Sequence, residues 1–233
     1  MISEVYRKGR DAKEASYVLQ TAGTDVKNKA LAYIADALMA HSDAILSANA
    51  EDLKRAKEKG MAPAMVDRLT LTKERISAMA EGVRQVIDLR DPSGIVLDEF
   101  TRPNGLAIKK VSVPLGVIAI IFESRPNVTV DAAALCIKAG NACVLRGGSE
   151  AIASNTALTS VIRQGLKAAG LPENSVNIIE NTDRALVKEL LTLRGFIDLG
   201  YSPRRCRPDP HGRRYGHRSL HRNGKRRLPR LCR

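Results

Sequence analysis

Residues 146–150 form the loop whose residue types most clearly suit ligand binding, Arg146-Gly147-Gly148-Ser149-Glu150. Two glycines at the start of a predicted helix leave backbone N–H groups open, and the helix dipole favours an anion there. Arg146 adds a positive charge suited to a phosphate, and Ser149 adds a hydroxyl. The same residues could instead be a helix cap followed by a solvated arginine. The chain has no GxGxxG, so the ordinary dinucleotide fingerprint is absent.

A second loop, Glu123–Asn127, also contains polar and charged side chains. Both loops directly follow continuous apolar runs, residues 117–122 and 142–145, and such runs are typical of buried parallel strands. In open α/β sheets, ligands collect at the carboxyl ends of the strands. We therefore expect the two loops to lie at one edge of a sheet and to form a site together.

The surrounding pattern predicts an α/β protein. Residues 1 to about 90 have apolar positions at helical spacing, as at Leu31, Ile34 and Leu38. Beyond them, strands and helices alternate with short connections, which indicates a parallel sheet with helices on both faces. The predicted strands cover residues 106–113, 117–122, 142–145, 176–179 and 196–199, and the predicted helices cover residues 128–138, 150–169 and 183–191. Asn104-Gly105 predicts a hairpin turn before the first strand.

Charge divides the chain at Leu199–Gly200. Residues 1–199 have a net charge of +2, whereas residues 200–233 have 12 Lys/Arg and a single acid, a net charge of +11. The pI of 9.9 therefore reflects the tail. No run approaches the roughly 20 apolar residues of a membrane span, and the charged N-terminus lacks a signal core. Four cysteines without paired metal spacing favour a reducing cytoplasm and no metal site.

The stretch VSVPLGVIAIIFESRPNVTVDAAALCIKAGNACVLRGGSEA resembles the gamma-glutamyl phosphate reductases of the aldehyde dehydrogenase superfamily. The resemblance runs through residues 1–199, and its motifs PLGVI, ESRPNVT, AGN and LRGGSEA are long and specific. It implies an aldehyde dehydrogenase-like fold, in which N-terminal helices precede a Rossmann-like parallel sheet of the cofactor domain. Residues 1–199 would then be the helices and a partial NADP-binding domain, and the catalytic domain would be absent.

The resemblance also implies an activity. It is the NADPH-dependent reduction of L-glutamyl 5-phosphate to L-glutamate 5-semialdehyde, with release of phosphate, in proline biosynthesis. The reaction proceeds through a cysteine thiolate, which is strongly nucleophilic and forms an acyl-enzyme that hydride can reduce. A cytoplasmic location, a homo-oligomeric full-length enzyme and functional coupling to glutamate 5-kinase follow from the same resemblance.

The matching positions assign roles to both loops. Arg146, Gly147, Gly148, Ser149 and Glu150 correspond to the place where relatives hold the adenosine ribose and its phosphate. Asn127 or Arg125 corresponds to the region that supplies an oxyanion-stabilising side chain, and Arg125 is also a substrate-binding candidate. The spacing differs by two residues from that of other aldehyde dehydrogenases, so the choice between Asn127 and Arg125 stays open.

The nucleophile has no counterpart in this sequence. In the family it lies in a segment like GNCHVYVD, beyond the strand predicted at residues 196–199, and no such segment is present. Cys136 on an apolar helix and Cys143 in a buried strand are expected to be core cysteines. Cys206 and Cys232 lie in the tail without family context, and the three tail histidines fit no standard zinc spacing.

A shifted reading frame would explain the composition of the tail. Back-translation of Gly200 onward, with free wobble choices and the first base dropped, yields Val-Ile-Pro-Arg-Gly-Gly-Ala-Gly-Leu-Ile-Arg. This resembles the family segment IPRGGAGLI, and residues 222–233 similarly yield a segment close to the nucleophile motif. We therefore hypothesise that the chain is a frameshifted, truncated reductase that binds NADPH weakly without turnover.

The tail also suggests an alternative function and a structural expectation. Its 12 basic residues, with Tyr201 and Tyr215 among them, could bind nucleic acid or another polyanion non-specifically. A steep loss of binding with salt and no sequence preference would identify that behaviour. Because residues 200–233 are highly charged and rich in Pro and Gly, we expect them to be disordered and not to complete the sheet.

Overall fold

The structure is a computed structural model, and it describes residues 3–202 together with the backbone of residues 219–222. Five helices come first, as predicted for residues 1 to about 90. They are α1 (Glu4–Thr21), α2 (Thr24–Ala40), α3 (Ser42–Glu58), α4 (Pro63–Leu69) and α5 (Lys73–Asp88).

A small antiparallel hairpin separates the helices from the main sheet. It consists of β1 (Val96–Thr101) and β2 (Ala107–Val111), and the predicted Asn104-Gly105 turn joins them. Gly105 has φ of +84°, in the region that favours glycine. β1 was not predicted, because its sequence has no alternation of apolar and polar residues and all six residues are exposed.

Four parallel strands form the body of the main sheet. They are β3 (Val117–Ile121), β4 (Ala142–Arg146), β5 (Val176–Ile178) and β6 (Leu199–Ser202), and β7 (Ser219–Arg222) pairs antiparallel to β6. Their order across the sheet is β5-β4-β3-β6-β7. The connecting helices are α6 (Asn127–Lys138), α7 (Ile152–Ala168) and α8 (Ala185–Thr192). The predicted parallel α/β architecture is thus confirmed.

Successive residues of β3 face opposite sides of the sheet, so β3 contributes side chains to the core on both faces. On one face, Ile120 belongs to the large core built with α2, α5, α6 and α7. On the other face, Val117 and Ala119 pack with residues of α1 and α8. Helices therefore cover both faces, which explains the unbroken apolar runs of the buried strands.

The last parallel strand differs from its prediction. It begins at Leu199 rather than at Phe196 and continues through Gly200–Ser202, where it pairs with β3. Asp198 precedes the strand and accepts a hydrogen bond from the Val117 N–H. The expectation that residues 200–233 add nothing to the sheet is wrong for Gly200–Ser202 and Ser219–Arg222. Strands pair through backbone N–H and C=O groups, and every residue except proline has both.

The rest of the disorder prediction concerns residues 203–218 and 223–233, which lie outside the described residues, as do Cys206 and Cys232. Within the described part of the chain, no helix has the length and apolarity needed to cross a membrane.

Candidate functional site

The two chemically interesting loops meet at the carboxyl edge of the sheet, as their strands predicted. β3 and β4 are parallel neighbours in which Ile121 lies opposite Arg146. The Phe122 N–H continues the ladder by donating to the Arg146 carbonyl (3.0 Å). Beyond the strands, the Ser124 hydroxyl donates to Glu150 Oε2 (3.3 Å). The loops 123–127 and 146–150 therefore form one continuous surface.

A side chain at Gly147 would have no room, and one at Gly148 would have to displace the Glu150 carboxylate. A Cβ on Gly147 would overlap Asn155 Nδ2 and come within 3.2 Å of the Phe122 ring, and a Cβ on Gly148 would overlap Glu150 Oε2. Neither glycine has a positive φ, so steric room rather than conformational freedom explains both. The Gly148 N–H makes no hydrogen bond to another described residue, so this backbone donor can approach a ligand closely.

Arg146 lies beside the glycines and is partly buried. Its Nη1 donates to the Gly147 carbonyl (2.9 Å), and its Nη2 donates to the Thr182 carbonyl in the loop after β5 (2.9 Å). The guanidinium therefore connects the ends of two neighbouring strands. A guanidinium at this edge of the sheet has the geometry to bind a phosphate.

The expected anion position at the start of the following helix is already occupied by the protein. Residues Ser149–Ala151 form a short 3-10 turn, and α7 begins only at Ile152. The N–H groups of Ala153 and Ser154 donate to the carboxylate of Asp52 in α3, at 3.2 and 2.8 Å. Asp52 thus takes two of the N–H groups at the start of α7. Ligand binding by the backbone of the 146–150 loop stays a prediction.

Asn155 is the residue of this site that sequence reasoning missed. It is fully buried under Gly147, and its Oδ1 accepts a hydrogen bond from the Thr129 hydroxyl of α6 (3.0 Å). Its Nδ2 has no hydrogen-bond partner among the described residues. A signal was available, because Asn155 interrupts the buried stripe Ala151, Leu158 and Ile162 at helical spacing. A polar residue on such a stripe requires an explanation.

The two oxyanion candidates lie at the start of α6. Asn127 is exposed, and its Nδ2 lies 3.4 Å from Asp131 Oδ2, one turn along the helix. Burial raises the pKa of Asp131 above its ordinary value, and the contact with Asn127 opposes that shift. Arg125 is also exposed. Both oxyanion assignments therefore stay predictions.

The cysteines of the folded body are core residues, as predicted. Cys136 and Cys143 are both free thiols and both buried. The neighbouring Cys136 and the burial of the site raise the pKa of Cys143 well above its ordinary value. A thiol with a raised pKa is a poor nucleophile. These two residues therefore offer no substitute for a catalytic cysteine.

Together, the described groups suit an anionic ligand that has hydroxyl groups. The Gly148 N–H and the Arg146 guanidinium are donors for a phosphate. The exposed Ser149 hydroxyl and the Glu150 carboxylate can bond to hydroxyls of a sugar. Within residues 3–202, no cluster of His, Cys, Asp or Glu is arranged to hold a metal ion.

Similar proteins support this interpretation. Over 196 residues, the chain is 53% identical to the gamma-glutamyl phosphate reductase of Moorella thermoacetica, covering 84% of this chain and 47% of that protein. Over 198 residues it is 47% identical to the reductase of Anoxybacillus flavithermus, covering 85% of this chain and 48% of that protein. The chain thus spans about half the length of the curated relatives it matches.

Solved structures agree in fold. The gamma-glutamyl phosphate reductase of Thermotoga maritima superposes with a TM-score of 0.84 at 46% identity, covering 85% of this chain and 48% of that one. An acetylating aldehyde dehydrogenase of Geobacillus thermoglucosidasius superposes with a TM-score of 0.64 at 17% identity, covering 84% and 40%, which shows a shared fold alone. Residues 3–196 match the Aldehyde dehydrogenase family. Because this match spans the helices, the parallel sheet and the glycine loop, the chain belongs to the aldehyde dehydrogenase family.

Proposed function

We propose that this chain is the cofactor-binding part of an NADPH-dependent gamma-glutamyl phosphate reductase. The observation that carries the proposal is the shared edge of β3 and β4. There, a glycine loop without room for side chains lies beside Arg146 and is joined through Glu150 to Ser124. The similarity to named reductases supports the choice of reaction.

Four of the five loop residues have a proposed task. Arg146 pairs with the phosphate on the adenosine ribose, because a guanidinium can make two parallel hydrogen bonds to phosphate oxygens. Glu150 accepts hydrogen bonds from ribose hydroxyls, and Gly147 and Gly148 let the backbone approach the ligand closely. When bound, NADPH supplies hydride to the family's reaction. Asn127 or Arg125 would stabilise the oxyanion that forms on the substrate.

The proposed family reaction is the reduction of L-glutamyl 5-phosphate to L-glutamate 5-semialdehyde with release of phosphate, in proline biosynthesis in the cytoplasm. It requires a cysteine nucleophile, and Cys136 and Cys143 are buried in the core. The 233 residues contain no segment like GNCHVYVD. We therefore propose cofactor binding for this chain and assign the nucleophile's role to none of its described residues. Homo-oligomerisation and coupling to glutamate 5-kinase are proposals for the full-length enzyme.

The polyanion-binding alternative receives no support from the described residues. All 12 basic residues of the tail lie at position 204 or beyond, where no side chain is described. The proposed function therefore depends on residues 1–199 alone.

Titration calorimetry with NADPH and NADH tests the proposal on the full 233-residue chain. We expect NADPH to bind. Arg146→Met should lower the affinity for NADPH by about tenfold or more and change the affinity for NADH less, because one charge-assisted contact is lost. Arg84→Met is the matched control, since Arg84 pairs with Asp36 on the surface of the helical region. Absence of NADPH binding by the folded chain, or equal effects of the two substitutions, would contradict the proposal.

A further inference from the structure

A buried side-chain amide lies beneath the glycine loop. Asn155 Nδ2 is a hydrogen-bond donor without a partner among the described residues, in a fully buried side chain. A buried donor left unpaired destabilises a protein, because it has lost its hydrogen bonds to water. The unpaired amide therefore destabilises the present loop arrangement. An arrangement that gives Asn155 Nδ2 a hydrogen-bond acceptor would be more stable.

Gly147 is the group that lies against this donor. Asn155 Nδ2 occupies the space that a Gly147 Cβ would need. The Gly147 carbonyl at present accepts from Arg146 Nη1 (2.9 Å). Because glycine has wide rotational freedom about its backbone bonds, this carbonyl can turn from the arginine towards the amide.

We propose that Asn155 positions the glycine loop by taking over the Gly147 carbonyl from Arg146 when a phosphate ester binds. The exchange releases Arg146 Nη1 towards the ligand and satisfies the buried donor at the same time. Asn155 is thus a positioning residue that acts through Gly147, and it favours ligands whose phosphate recruits Arg146. This inference rests on the proposed cofactor function for the identity of the ligand.

Thr129 provides a matched control, because it forms the other half of the buried pair. Its hydroxyl donates to Asn155 Oδ1 (3.0 Å), away from the loop. Thr129→Val and Asn155→Leu both break this bond, so both should lower the thermal midpoint. Only Asn155→Leu removes Nδ2. We expect Asn155→Leu to lower the affinity for NADPH about three- to tenfold, the equivalent of one neutral hydrogen bond. Thr129→Val should change this affinity less than twofold. Equal losses would overturn the proposal.

A second measurement needs neither NADPH nor a change at Asn155. Arg146→Met removes the present partner of the Gly147 carbonyl, so the carbonyl should turn to Asn155 in the ligand-free chain. In ¹⁵N-labelled protein, the Asn155 side-chain NH₂ signals should move downfield and exchange more slowly with solvent than in the wild type. Unchanged signals would overturn the proposal even if Asn155→Leu fails to fold. Failure of the wild type to bind NADPH would instead contradict the proposed function, and the two failures remain distinguishable.

Discussion

The carboxylate of Asp52 lies at the start of α7 and accepts hydrogen bonds from the Ser154 N–H (2.8 Å) and the Ser154 hydroxyl (2.6 Å). Asp52 belongs to α3, about a hundred residues earlier in the chain. A negative charge is favourable at a helix N-terminus, where free N–H groups and the helix dipole meet. Arg55 balances the charge of the buried carboxylate at 2.6 Å. This contact sets the start of α7 and thereby the end of the 146–150 loop.

Replacing Asp52 by Asn should lower the free energy of unfolding by about 2 kcal/mol. The change weakens charge-assisted hydrogen bonds to buried donors, which are worth roughly 1.5–3 kcal/mol each. Urea denaturation monitored by circular dichroism measures the effect. Asp43→Asn is the control, because the Asp43–Lys73 pair is exposed and such pairs contribute about 0–1 kcal/mol. Equal stabilities of the two variants would show that Asp52 does not anchor α7.

Gly165→Ala should destabilise the protein by about 1–3 kcal/mol through overpacking. Gly165 of α7 lies against α2 so closely that a Cβ would come within 2.8 Å of the Ile34 backbone nitrogen. Gly82→Ala in α5 is the matched control, since its Cβ would meet nothing within 4 Å. We expect the control to raise stability by about 0.5–1 kcal/mol, because alanine favours a helix more than glycine does. The same denaturation assay decides whether the two substitutions have opposite signs.

Stability should fall in acid partly because of Asp91. Burial opposes the ionisation of Asp91, but hydrogen bonds from Lys27, the Ser93 N–H and Thr24 outweigh it and lower the pKa from 3.8 to about 2. Lys27 Nζ lies 2.5 Å from the carboxylate. Because the folded pKa is below the unfolded value, this contribution is complete above about pH 4 and is lost as the pH falls towards 2.

The contribution of Asp91 is about 2 kcal/mol by this linkage. Urea midpoints measured between pH 2 and pH 6 should fall less steeply for Asp91→Asn than for the wild type. Asp36→Asn, which alters an exposed pair with Arg84, should keep the wild-type slope. An unchanged slope in Asp91→Asn would contradict the assignment.

Gly147→Ala should lower the affinity for NADPH more than tenfold while the chain stays folded. The added methyl would overlap Asn155 and approach the Phe122 ring, so the loop must move away from its present position. Calorimetry measures the loss. Gly23→Ala serves as the control, because Gly23 has open space around it and an ordinary φ of −65°. Wild-type affinity in Gly147→Ala would show that the loop does not contact the cofactor.

The frameshift hypothesis makes a prediction about the gene. The DNA that encodes residues 200–233, read one base later, should encode Val-Ile-Pro-Arg-Gly-Gly-Ala-Gly-Leu-Ile-Arg and, further on, a cysteine segment like GNCHVYVD. The match to the Aldehyde dehydrogenase family ends at residue 196, close to the change in composition. Resequencing across these codons is the measurement. A shifted frame without these segments would refute the hypothesis.

Sequence alone determined the architecture and the place of the candidate site. The apolar runs at residues 117–122 and 142–145 can be buried on both faces only in a sheet covered by helices. Their parallel pairing then places the loops 123–127 and 146–150 side by side. Side-chain periodicity and turn residues are local properties, so they can be read without knowing which elements meet.

Tertiary structure decided which groups at that site are available. Asp52 takes the helix N–H groups that the 146–150 motif was expected to offer, and Thr182 accepts from Arg146. Asn155 reaches Gly147 of the loop only because α7 packs beneath that loop. Gly200–Ser202 extend β6 although their composition gave no strand signal, because a neighbouring strand supplies the backbone partners. Each of these outcomes joins groups far apart in the chain, and no local pattern records such pairings.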